Sequence, residues 1–197
     1  MSEKFGKAAD YSLGNFSGSQ DRKFADFFAG TDSSCVLIEF KEFEREISDE
    51  HKKPLREKLC RTLDQNTAAL SRTSHFIAYR SRNSAVNIEL APYVDVVCPH
   101  FSVGQPPLEA IVRNTHDAFI DAFLEGRSGT PFDAFLKYAG HMNSTAGGTA
   151  DGANASFKSI LYSRDKQGRV LGTLFHSLGE LKQLLAKKAK LRSRLKP

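Results

Sequence analysis

Cysteine is scarce in this chain, with only Cys35, Cys60 and Cys98 among 197 residues. An odd number at wide spacing does not form a disulfide framework, and Cys35 and Cys60 sit in apolar patterns as small core residues. The expectation is a reducing, cytoplasmic setting. Long apolar runs are missing too, since none approaches the ~18–20 residues that a membrane span needs. The opening MSEKFGK lacks the apolar segment of a signal peptide. No membrane partner is expected. Cys98-Pro99-His100 has no second ligand pair at zinc-site spacing. Gly147-Gly148 lacks the Gly-Lys-Ser/Thr ending of a phosphate-binding loop, and no serine stands in a nucleophile-elbow pattern. Zinc, nucleotide and serine-hydrolase chemistries therefore have no support.

Charge is present but unevenly placed. The net charge is +5, and Leu181–Pro197 holds seven basic residues and no acid, leaving 21 basic against 23 acidic residues before it. The chain reads as a near-neutral body with a basic, leucine-bearing tail, unlike a uniformly basic nucleic-acid binder. A body of this size holds one substantial core.

Short aromatic and β-branched runs predict strands at Phe24–Ala29, Cys35–Phe43, Ser74–Ser81 and Val86–Val97, the last bent at Pro92. Ser48 and Pro54 suit the start of a helix reaching Leu70. Further helices are expected at Leu108–Leu124 and from Pro131 to Tyr138. Residues 5–22 read as irregular, and 140–156, built from small residues, as a mobile loop. Residues 157–175 read as a hairpin turning at 165–168, followed by an amphipathic basic helix over 181–197. A strand, a helix and another strand imply a crossover, hence an α/β protein with a central mixed sheet flanked by helices.

The first hairpin contains a pattern that packing alone does not explain. A turn centred near residues 32–33 pairs residues whose numbers sum to about 65, so Asp26 opposes Glu39, and Lys41 shares their face. Two opposed carboxylates repel unless a cation lies between them, and removing one should leave the apo chain as stable or slightly more so. A divalent ion could take oxygens from Asp26, Glu39 and the Phe40 carbonyl. Lys41 would lie beside its bound water, with a pKa lowered toward that of a useful base. On the competing reading, Glu39 and Lys41 are an edge pair pointing to solvent, with Ile38 and Phe40 turned inward.

Asp26, a gap of twelve residues, and Glu39-Phe40-Lys41 resemble the PD-(D/E)XK nuclease superfamily. The likeness spans roughly residues 20–97, within one domain over 1–197 that carries additions at 98–180 and the basic helix at 181–197. It implies a restriction-endonuclease-like core, with Asp26 and Glu39 as metal ligands, Lys41 as catalytic lysine, and Mg²⁺ (or Mn²⁺ in its place) as cofactor. The implied activity is phosphodiester hydrolysis, in DNA rather than RNA. Ala25 stands where many members have proline, and an upstream acid would have to come from Glu3, Asp10 or Asp21. Lys52, Lys53 and Arg56, with Lys187, Lys188, Lys190, Arg192 and Arg194 of the tail, are the candidate phosphate contacts. A nuclease cutting both strands would commonly act as a homodimer. The alternatives are a catalytically silent module of the same fold that binds nucleic acid or protein, and an assembly protein using its C-terminal helix.

Overall fold

The two apolar runs pair in the expected register. In a computed structural model, which describes residues 10–16, 22–31, 34–81, 87–101, 112–164 and 169–194, Phe27–Thr31 (β2) runs antiparallel to Cys35–Phe43 (β3). Phe27 faces Ile38 and Gly30 faces Cys35, so each partner pair sums to 65. Cys35, Val36, Leu37 and Ile38 are all buried, because β3 lies inside the sheet with packing on both faces.

After β3, the chain passes through a 3₁₀ turn and a short helix, Ile47–Glu50 (α1), into Pro54–Thr62 (α2) and Gln65–Ser74 (α3). The single helix expected here is broken at Leu63–Asp64. Asp64 accepts from the Thr67 N–H at 2.7 Å and caps a new helix. The crossover returns as His75–Arg80 (β4), parallel to β3, and Ile88–Pro92 (β5) follows antiparallel. Past Pro92 the chain turns into Tyr93–Val96 (α4) and a 3₁₀ turn at Cys98–Phe101, where a continuing strand was expected.

The remaining elements are Asn114–Thr115 (β6), His116–Leu124 (α5), Phe132–Thr145 (α6), Ser156–Arg164 (β7), Val170–Ser177 (β8) and Leu178–Arg194 (α7). With Asp10–Asn15 (β1), the described residues form one eight-stranded mixed sheet in the order β6-β5-β4-β3-β2-β1-β7-β8, with seven α-helices. The chain is thus α/β. Strand β1 was not foreseen. Its sequence, DYSLGN, is too short and polar to show a period, yet it sits between β2 and β7. The Leu108 helix start is also corrected: residues 102–111 lie outside the described part, and helix begins only at His116, where Thr115 accepts from the Ala118 N–H. The turn expected at 165–168 falls outside the described residues.

Residues 140–156 are not the loose loop that their composition suggests. Helix α6 continues to Thr145, and the following segment folds back onto it. A Cβ on Gly140 would lie 2.2 Å from the Ala150 carbonyl oxygen, and one on Gly152 would lie 2.0 Å from that of Leu136. Small residues here permit backbone-to-backbone packing. The Asn143 side chain donates to the Thr149 carbonyl at 2.9 Å and fastens the fold-back.

Apolar packing divides by sheet face. On one side Ala29, Val36, Ile38, Ala78 and Leu90 meet Phe119, Ile120 and Phe123 of α5. On the other, Phe28, Cys35 and Leu37 meet Leu59 of α2 and Phe135, Tyr138 and Met142 of α6. Among the described residues, no helix is long and apolar enough to cross a membrane.

Cysteine pairing overturns one expectation. Cys60 of α2 and Cys98 form a disulfide across 38 residues of sequence, which removes the argument for a reducing setting that rested on cysteine number. It also removes Cys98 as a metal ligand, while His100 stacks on His51 with ring centroids 3.8 Å apart. Cys35 is a buried free thiol whose pKa burial pushes up. A cross-link closing a loop of this length stabilises by roughly 3–4 kcal/mol. Cys60→Ser/Cys98→Ser should therefore lose about that much in urea unfolding, and an unchanged midpoint would show that the bridge restrains nothing.

Candidate functional site

Asp26 lies one residue before β2, where the same register sets it opposite Glu39. Its Oδ2 accepts a hydrogen bond from the Phe40 N–H at 2.7 Å. The β2 ladder ends at the Phe27–Ile38 pair, so the Asp26 carboxylate takes the place of a strand partner. In an extended strand the N–H and C=O of one residue point to the same side. The Phe40 carbonyl therefore faces this bare end of β3 as well.

Alternation along β3 runs opposite to the solvated-edge reading. Glu39 is fully buried, and Phe40 is 44% exposed. The Glu39 face is covered by the N-terminal part of α2, which brings its own charges. Glu39 Oε1 lies 3.1 Å from Lys41 Nζ and 2.8 Å from Lys53 Nζ, and Oε2 receives Arg56 at 3.1 Å. A second buried acid, Glu50 at the end of α1, shares these cations. Lys41 lies 2.6 Å and Lys53 2.7 Å from its Oε1, and Arg56 Nε lies 3.4 Å from its Oε2. Tyr93 donates to the same Oε2 at 2.9 Å. Arg56 also donates to the Phe24 carbonyl at 3.0 Å, which ties the helix to the segment that carries Asp26.

Electrostatics follow from this crowding. Burial alone would raise the Glu39 pKa, but Arg56 first and Lys53 next outweigh it, with Asp26 opposing, and the net shift is downward. Burial tends to lower the Lys41 pKa, yet the hydrogen bond to Glu50 and the charges of Glu39 and Glu50 win, and the net shift is upward. This corrects the expectation for Lys41. It is held as an ammonium and is poorly suited to act as a general base.

Beneath the acids lies a polar layer. His75 stacks on Tyr93 with centroids 4.1 Å apart, and its Nδ1 is 2.9 Å from the Tyr138 hydroxyl. Burial and then Arg56 hold its pKa well below the ordinary value, so it stays neutral.

Sequence reasoning found Asp26, Glu39 and Lys41, and the fold brings all three together. It passed over Glu50, because Glu50-His51-Lys52 looks like any surface acid-x-lysine triplet. Its partners Lys41, Arg56 and Tyr93 come from three separate elements, so no local spacing marks it. Arg56 is corrected as a candidate phosphate contact: its side chain is 1% exposed and fully committed inside. Lys52 lies at the surface with Asp49 at 2.7 Å, while Lys53 faces the acids. Of the tail residues, Lys187 is exposed on α7, and the side chains of Lys188, Lys190, Arg192 and Arg194 lie outside the described part. Asp10 sits in β1 rather than on an upstream helix, and Glu3 and Asp21 fall outside the described residues.

Two carboxylates and a strand carbonyl form a hard-oxygen donor set of the type that suits Mg²⁺ or Mn²⁺. Among the described residues, no three Asp, Glu, His or Cys side chains converge as a ready metal cage. Glu39 and Glu50 are paired with Lys41, Lys53 and Arg56. An ion therefore fits by exchange with one of these cations. No family model, curated protein or solved structure matches the chain.

The expectation that losing a carboxylate is harmless is also reversed for Glu39, because its removal strands buried Arg56. Breaking such a pair from either side costs roughly 3–5 kcal/mol. Arg56→Met and Glu39→Gln should each lose about that much near neutral pH. The Glu39 carboxyl is held below its ordinary 4.5, so its contribution exists above that pH and fades as pH falls through the folded value. Urea titrations of wild type and Arg56→Met should consequently converge in acid, and a pH-independent gap would point to lost packing alone.

Proposed function

We propose that this chain is a metal-dependent nuclease of the PD-(D/E)XK type that hydrolyses phosphodiester bonds, in DNA by preference. One observation carries the reading: the β2–β3 register that sets Asp26 against Glu39 and puts Lys41 two residues on, at the bare end of β3. The surrounding order supports it. Strands β1, β2 and β3 are antiparallel neighbours, and a helical crossover leads to β4 parallel to β3, the order expected of a restriction-endonuclease-like core.

When bound, a divalent cation supplies a polarised phosphate and an activated water. The residues of the chain divide the remaining work. Asp26 and Glu39 present oxygens, and the Phe40 carbonyl adds a third. Arg56 fixes Glu39 from behind, and Tyr93 fixes Glu50. Lys41, kept charged between the two glutamates, sets its ammonium beside the reacting phosphate and stabilises charge that grows in the transition state. Exposed Lys187 on α7 is offered as a contact for the nucleic-acid backbone.

A second reading has its own support. Full pairing of Glu39 with three cations is what a silent member of the fold would retain after losing its chemistry, keeping nucleic-acid or protein binding.

Supercoiled plasmid with Mg²⁺ or Mn²⁺ separates the two. Wild type should nick or cut it, and should melt higher with the ion present, by mass action. Lys41→Ala should lose cleavage by about 10²-fold or more while keeping the melting shift, and Asp26→Ala should lose both. A wild type that neither cuts nor shifts belongs to the silent reading.

A further inference from the structure

Two lysines hold the same pair of oxygens. Lys41 and Lys53 each bridge Glu39 Oε1 and Glu50 Oε1, at 3.1 and 2.6 Å for Lys41 and at 2.8 and 2.7 Å for Lys53. The other oxygens of these acids are taken by Arg56 and Tyr93. The two glutamates thus face three cations, one more than neutrality requires. The lysines differ in depth. The Lys41 side chain is 12% exposed on an interior strand, and that of Lys53 is 41% exposed at the start of α2.

We propose that Lys53 is a tethered, displaceable cation that holds Glu39 Oε1 until metal binds that carboxylate and then turns outward to contact the nucleic-acid phosphate. This rests on the metal-site reading above. Releasing Lys53 leaves Glu39 and Glu50 matched by Lys41 and Arg56 and opens Glu39 Oε1 to a divalent ion. Arg56 cannot serve this role, being buried and bonded also to the Phe24 carbonyl. Lys41, at 12% exposure, has less open space to turn into than Lys53.

The backbone at Lys53 is suited to such an exchange. Its N–H donates to the Glu50 carbonyl at 3.1 Å, its own carbonyl accepts from the Arg56 and Glu57 N–H groups at 3.0 and 3.2 Å, and Pro54 follows. The main chain is pinned while a flexible four-carbon stem carries a compact ammonium. The released amine stays at the mouth of the site, where a phosphodiester would lie. Lysine is a point-charge phosphate binder that needs no fixed fork geometry.

The test is Mn²⁺ titration by calorimetry, without nucleic acid, on wild type, Lys53→Met and Lys53→Gln. Lys137→Met, which removes an exposed lysine on α6, controls for general charge. Both Lys53 variants should bind Mn²⁺ roughly tenfold tighter or better, the ratio that corresponds to about 1.4 kcal/mol, while the control stays at the wild-type value. If wild type binds Mn²⁺ and the Lys53 variants bind it equally or more weakly, Lys53 is a structural partner and the inference fails while the metal site stands. If no folded variant binds Mn²⁺ at all, the metal-site reading fails and this inference fails with it.

Discussion

The buried pair between Glu39 and Arg56 is the constraint on which the rest of the site depends. Removing a carboxylate and a guanidinium from water is costly, and the charges persist inside only with close partners on nearly every polar atom. Arg56 meets that condition by binding Glu39, approaching Glu50 and donating to the Phe24 carbonyl. It thereby joins the central strand, the crossover helix and the segment leading to Asp26. The Cys60–Cys98 link acts on the same helix one turn later, so α2 is held at its charged end by ion pairs and near its far end by a covalent bond.

This arrangement accounts for the acids and the lysine in the interior of a sheet. Glu39 keeps its charge because Arg56 and Lys53 outweigh the cost of burial, and Lys41 keeps its charge because two glutamates do the same in reverse. In the proposed chemistry a permanently charged Lys41 serves as an electrostatic partner of the phosphate, and proton removal falls to another group. The balanced cluster also explains how a site with so few exposed carboxylates would hold a divalent ion, namely by exchange.

Local sequence carried the hairpin register and the grouping of Asp26, Glu39 and Lys41, because both depend on a short turn and strict two-residue periodicity. It also carried the α/β class, through strand–helix–strand order. What it missed depends on distant contacts. Strand β1 has no apolar signature and is a strand because β2 and β7 flank it. The fold-back of 140–156 onto α6 uses glycines at contact points, and composition alone reads these as looseness. The burial of Glu39 in place of Phe40 was set by which face α2 covers, and alternation cannot tell one face from the other. Glu50 was invisible for the same reason, since its partners come from β3, α2 and α4.

Anomalous scattering from crystals soaked in Mn²⁺ tests the central claim most directly. The account predicts one strong peak between the Asp26 and Glu39 carboxylates and the Phe40 carbonyl, with the Lys53 amine moved out from between Glu39 and Glu50. A soaked crystal with no peak at this position, and with Lys53 still bridging the two glutamates, would contradict it.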